Sequence, residues 1–153
     1  MDLFLRTIKD PNNPLHEGKP ATFWGQGEND LVVDTNGDFA TTEGVDNLNQ
    51  GAAKILVTER EANVFMPLYG AGLQSLIGQN MDVDYLRAQI KSEVIDALRI
   101  YQFINKDNSN LDEQIEMLNS LKVELVGSTG FDVSFRITTR SGKITGSLVQ
   151  VEG

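Results

Sequence analysis

The chain has 153 residues, 40% of them hydrophobic, the size of one ordinary domain able to bury a core without covalent staples. It carries 22 Asp and Glu against 13 Lys and Arg, a net charge of −9, which argues against sequence-independent binding to DNA or to anionic membranes, since both need clustered cations. With no cysteine and 1 histidine, disulfides, thiolate chemistry, cysteine-based zinc sites and histidine-cluster metal sites are excluded by inventory.

Residues 1–30 are punctuated by Pro11, Asn12, Asn13, Pro14, Gly18, Pro20, Gly25 and Gly27, each unfavourable to helix or regular ladder. Leu3, Phe4, Leu5, Ile8, Phe23 and Trp24 are more apolar residues than a disordered tail usually carries. The stretch reads as an extended N-terminal arm whose Leu3, Phe4, Leu5, Phe23 and Trp24 dock on the body or on a partner. Residues 31–153 read as a single domain. The first ten residues hold no apolar run of signal-peptide length, and no later run approaches a membrane span. His16 lies in the arm with no base-orienting group in evidence and reads as a solvated loop residue.

Leu31–Val33 and Phe39–Thr41 read as a hairpin around Asn36-Gly37. Val45 to Val57 reads as a helix, with Leu48, Ala52, Ile55 and Leu56 at helical spacing. Gly51 lies inside it at a cost of about 1 kcal/mol against alanine, which points to a close-packing or conformational reason. From Leu56 to Ile77 the chain closes this helix and makes a strand-like run. It then turns through Pro67-Leu68-Tyr69-Gly70 and starts a second amphipathic element. The longest helix follows, from an Asp82 N-cap to about Phe103, with the stripe Leu86, Ile90, Val94, Ala97/Leu98 and Tyr101. A short helix is predicted from Leu111 to about Ser120, because Asn110 and Glu113 form a capping-box pattern and Leu111, Ile115 and Leu118 share a face. The period then switches to two. Leu121, Val123 and Leu125 make one strand, Val133, Phe135 and Ile137 a second, and Ile144 to Val151 a third, with turns at Ser128-Thr129-Gly130 and Ser141-Gly142. The fold class is α+β: a small antiparallel C-terminal meander packed with two or three helices, preceded by the arm.

Chemical motifs are weak. Asn105, Asp107, Ser109 and Glu116 fall at the first, third, fifth and twelfth positions of a calcium loop, but Asn105, Asn110 and Asp112 stand where Asp, Gly and an apolar residue are required. A polar loop with a helix cap explains the same residues. Gly70-x-Gly72 and Gly25-x-Gly27 lack the third glycine of a phosphate loop and read as turns. No catalytic, cofactor-binding or metal residue is assigned, and no nucleic acid, membrane or small-molecule substrate is expected.

Thr58, Pro67 nine residues on, Tyr69-Gly70, Leu73 and the apolar residues after it resemble the contractile-tail baseplate wedge family. That family includes the Mu-like phage baseplate protein, the sheath-initiating wedge protein of large myophages and the equivalent subunit of type VI secretion systems. The resemblance runs from about Leu31 to the C-terminus. Two departures mark it: Glu61-Ala62 stands where the family usually has Gly-Glu, and the Glu-Pro-Arg motif common after the long helix is replaced near Leu98-Arg99-Ile100-Tyr101.

The resemblance implies a virion structural protein of the tail baseplate, synthesised and assembled in the host cytoplasm. It would join the wedge core to the tail sheath in several copies around the tube, and template the first sheath ring by strand addition. Within that reading Ile144, Leu148, Val149 and Val151 are the candidate sheath-facing edge, because they follow the last turn of the meander. Tyr69, Arg99 and Tyr101 are the candidate contacts to the wedge core, against the plainer reading of the tyrosines as core packing. The family also carries a lysozyme-like label. Glu59 and Glu61, straddling Arg60 at a surface turn, read as solvated charges and not as a glycosidase pair. A small adaptor or homo-oligomerising domain outside phages is the competing class, and a peptidoglycan hydrolase the more remote one.

Overall fold

The structure, a computed structural model, describes residues 5–6, 43–127 and 130–152. The predicted Leu31 to Thr41 hairpin, His16, Gly25, Gly27, Leu3, Phe4, Phe23 and Trp24 lie outside these residues. Helix α1 (Val45–Val57) has the bounds its periodicity predicts, with Leu48, Ala52, Ile55 and Leu56 buried. It stops at Thr58, whose backbone is extended and whose hydroxyl donates to the Lys54 carbonyl at 2.7 Å. Helix α2 (Val83–Ile104) starts on Asp82, which accepts from the Asp84 and Tyr85 amides and so satisfies two of the orphan donors of a helix start. Ile90, Val94, Ala97, Leu98 and Tyr101 form its buried stripe, with Leu86 packed at the edge.

Gly51 has a packing reason. A Cβ at this position would sit 1.9 Å from the hydroxyl oxygen of Tyr101, so the missing side chain is the space the tyrosine fills. The two helices meet there, ring against backbone, and Tyr101 is left only 9% exposed.

Two-residue strand β1 (Leu5–Arg6) and the long strands β2 (Ile115–Val126), β3 (Gly130–Thr139) and β4 (Ile144–Glu152) form one antiparallel sheet in the order β1-β4-β3-β2. On β3, Phe131, Val133, Phe135, Ile137 and Thr139 are buried while Arg136 is exposed, as one covered face and one open face require. The helices cover that face, α1 over β4 and α2 over β2, giving the two-layer α+β architecture.

The predicted short helix from Leu111 to Ser120 is a single 3-10 turn (Leu111–Glu113) followed directly by β2. The cause is a pair of bulges. Ile115, Leu118 and Leu121 lie opposite Thr139, Ile137 and Phe135 on the core-facing side, and an extra residue is inserted between each of the first two steps. Each bulge adds one residue to a period of two, so inward positions fall three apart and imitate a helical stripe. Beyond Leu121 the period returns to two, with Val123 buried.

The expected open edge along Ile144 to Val151 meets a short partner strand at two of its positions. Leu5 pairs with Val149 and Arg6 with Leu148, so at these two positions β4 lies between β3 and β1. Val149 and Val151 turn into the core, whereas Ile144 is exposed and Leu148 half-buried. Among the described residues, the sheet's edge strands are β2 on one side and β1 on the other.

Candidate functional site

The predicted strand-like run after α1 is a closed loop. Its two ends meet: the Ala71 amide donates to the Thr58 carbonyl at 2.8 Å, and Glu59 and Ala71 form an isolated parallel bridge. Gly70 makes the closure possible. Its φ is 130°, and a Cβ there would lie 2.7 Å from the carbonyl oxygens of both Thr58 and Glu59. The Thr58 and Gly70 ends of the sequence signature are therefore the two sides of one seam.

Inside the seam the backbone is tied at several levels. The Glu61 amide donates to the Pro67 carbonyl at 3.0 Å and the Ala62 amide to the Glu59 carbonyl at 3.2 Å. Asn63 starts a turn, accepting from the Met66 amide on its carbonyl and from the Phe65 amide on Oδ1. Tyr69 donates to the Met66 carbonyl across a turn in which Pro67 presets the backbone. Glu61 takes φ 68°, a left-handed conformation that suits glycine. The base is pinned to α2 by Glu93, whose carboxylate accepts from the Arg60 guanidinium at 2.8 Å and from the Gly72 amide at 3.2 Å. Tyr69 packs against the core, and burial raises its hydroxyl pKa.

The tip of this pinned loop is apolar and in water. Val64 is 87%, Phe65 94% and Leu68 70% exposed, with Met66 beside them at 41%. Sequence reasoning missed this site because an apolar run was taken for a strand. The signal against it was present: Asn63 opens the run and Pro67 interrupts it, and proline demotes a strand assignment.

The three residues named for the wedge core differ in exposure. Tyr101 is a packing residue over Gly51, its pKa raised first by burial, with Asn105 lowering it through a hydrogen bond and Tyr69 and Glu113 raising it. Tyr69 is half-buried. Arg99 is exposed and lies 3.7 Å from Asp96 on its own helix.

The polar loop after α2 is organised by one carboxylate. Glu113 accepts from the Gly44 amide at 2.8 Å, Asn47 at 3.0 Å, Asn108 at 2.8 Å and Asn110 at 3.2 Å, tying the loop to the start of α1. Glu116, the twelfth position of the calcium-loop pattern, stands on strand β2 and pairs with Arg140 at 3.4 Å. The second helix of such a motif is thus replaced by a strand. Among the described residues no group of three or more His, Cys, Asp or Glu is placed to hold a metal ion, and no helix is long and apolar enough to cross a membrane. No protein-family model matches the chain, and no curated protein matches it.

Proposed function

We propose that this protein is a structural component of a contractile-tail baseplate wedge, joining the wedge core to the sheath and acting by assembly and not by catalysis. The observation that carries the reading is Glu61. It occupies the place where the wedge family usually has glycine, and its φ of 68° is the conformation for which glycine is suited. The Thr58 to Gly70 spacing has a matching physical sense, since the two residues close one loop.

Sheath initiation in this reading uses the β4 side of the sheet. Among the described residues β1 pairs with β4 at two positions, and an extended arm from a sheath subunit can take its place or continue it. The partners are the other wedge proteins and the sheath protein, in several copies around the tail tube in the virion. Co-expression with candidate tail proteins, followed by negative-stain imaging of what co-purifies, tests the proposal. A wedge or ring containing this chain is expected. Particles that assemble complete sheaths without it, or a muralytic activity abolished by substitution of one carboxylate, overturn the reading.

A further inference from the structure

We propose that the loop tip formed by Val64, Phe65, Met66 and Leu68 is an insertion anchor that seats in an apolar pocket, rimmed by Lys or Arg side chains, on a neighbouring protein of the assembly; the identity of that neighbour as a baseplate protein rests on the wedge reading above.

Three observations select this occupant. First, the tip is convex and held. Hydrogen bonds at its neck and inside it fix the backbone before any encounter, which removes most of the ordering cost that a mobile loop would incur on binding. Second, the exposed apolar area is on the order of several hundred Å². That suits one aromatic anchor with its shoulders, inserted at the centre of a larger contact. Third, the neck is acidic. Glu59 and Glu61 are exposed, and among the described residues neither has a salt-bridge partner, whereas Arg60 between them pairs with Glu93. Two copies facing each other through this tip would bring those carboxylates together. An anionic membrane would meet the same carboxylates and a chain of net charge −9. A pocket with an apolar floor and a basic rim satisfies both parts of the tip, the floor giving affinity and the rim steering the encounter.

The test uses the full chain, with each candidate tail protein immobilised in turn, and compares wild type with Phe65→Asp, Leu68→Asp and Glu59→Lys. Thermal melting checks that each variant is folded. Wild type is expected to bind one tail protein. Phe65→Asp should weaken that binding by at least thirtyfold. Glu59→Lys should weaken it several-fold and flatten its dependence on salt. Binding of Phe65→Asp and Leu68→Asp equal to wild type overturns the anchor and leaves the wedge reading standing. Failure of wild type to bind any tail protein overturns the wedge reading and the anchor's partner with it. Sedimentation of wild type as a dimer that Phe65→Asp makes monomeric assigns the tip to a second copy and overturns the proposal. So does flotation with phosphatidylcholine–phosphatidylglycerol vesicles that depends on Phe65.

Discussion

Two connections flank α2, and they solve the problem of an irregular backbone in opposite ways. The loop before it closes with backbone hydrogen bonds and a glycine, and leaves Val64, Phe65 and Leu68 in water. The loop after it closes with side chains: Asn47, Asn108 and Asn110 converge on Glu113, and Asp112 bonds to Ser141 and Lys143. The first is apolar where a loop is expected to be polar. The second has carboxylates and amides in the order of a metal loop and uses them on itself. Composition alone would have put the ligand at the second loop and the core at the first. What separates them is whether each group already has its partner: the polar loop is satisfied internally, and the apolar one is not.

The largest expected effect separates these two loops by stability. Glu113→Ala removes one carboxylate and leaves four donors to find water, among them the Gly44 amide at the start of α1. A cost of about 2–3 kcal/mol in urea unfolding is expected, against a change within about 0.5 kcal/mol for Phe65→Asp at the exposed tip. A similar loss from both substitutions would remove the contrast. The same carboxylate has a signature in acid. Burial raises its pKa, but the hydrogen bonds from Gly44, Asn108, Asn47 and Asn110 outweigh burial, and the carboxyl is held below its ordinary 4.5. A folded pKa below the unfolded one contributes stability that is fully present above pH 4.5 and lost as the pH falls through the lower, folded value. Glu113→Gln should therefore shrink the loss of stability on acidification below that pH. Some slope will remain, because hydrogen bonds from Lys143 and Ser141 also lower Asp112.

A smaller effect tests the helix pair on which both loops are mounted. Gly51→Ala forces a methyl onto the Tyr101 hydroxyl, and Tyr101 is too buried to swing aside freely. Overpacking of this kind costs about 1–3 kcal/mol, and helix propensity returns about 1 kcal/mol. A net loss of up to about 2 kcal/mol is expected. In a Tyr101→Leu background the clash is gone, so the same Gly51→Ala substitution should become neutral or stabilising. Equal effects in the two backgrounds would mean that Gly51 is there for another reason.

The regular parts of this fold were legible because their periods are clean. Both helices come from apolar residues three and four apart, and Asp82 marks one start. The α+β class and the strands from Leu121 onward follow from the switch to period two. The failures share a physical origin in backbone features that carry no side-chain signature. Two bulges turned the first half of β2 into a false helix. The pairing of Leu5 and Arg6 with β4 joins residues more than a hundred positions apart, and no local pattern reports it. At the candidate site Thr58 and Gly70 stand out in the sequence as signature positions, but their contact across the neck is not visible there. The tip they hold out was therefore read as part of a strand.

The smallest effect addresses the neck of the first loop alone. A left-handed conformation costs an ordinary residue about 1–2 kcal/mol, and glycine escapes most of this while losing about 0.5–1 kcal/mol to its greater freedom when unfolded. Glu61→Gly should then stabilise the protein by up to about 1 kcal/mol, since the bond from its amide to the Pro67 carbonyl is made by the backbone and is retained. Ala62→Gly is the matched control. Among the described residues only Glu61 combines a side chain with positive φ, so glycine at Ala62 brings freedom without relief and should destabilise by a few tenths to about 1 kcal/mol. Opposite signs at adjacent positions, read by urea unfolding, would show that the neck is held in the geometry glycine prefers. Equal losses at both would mean that Glu61 is not left-handed in solution, and the observation that carries the wedge reading would be withdrawn. Glu61→Gly also removes one carboxylate from the base of the tip without touching Phe65. Its binding should consequently fall only slightly, and less than that of Glu59→Lys, which reverses a charge at the same rim.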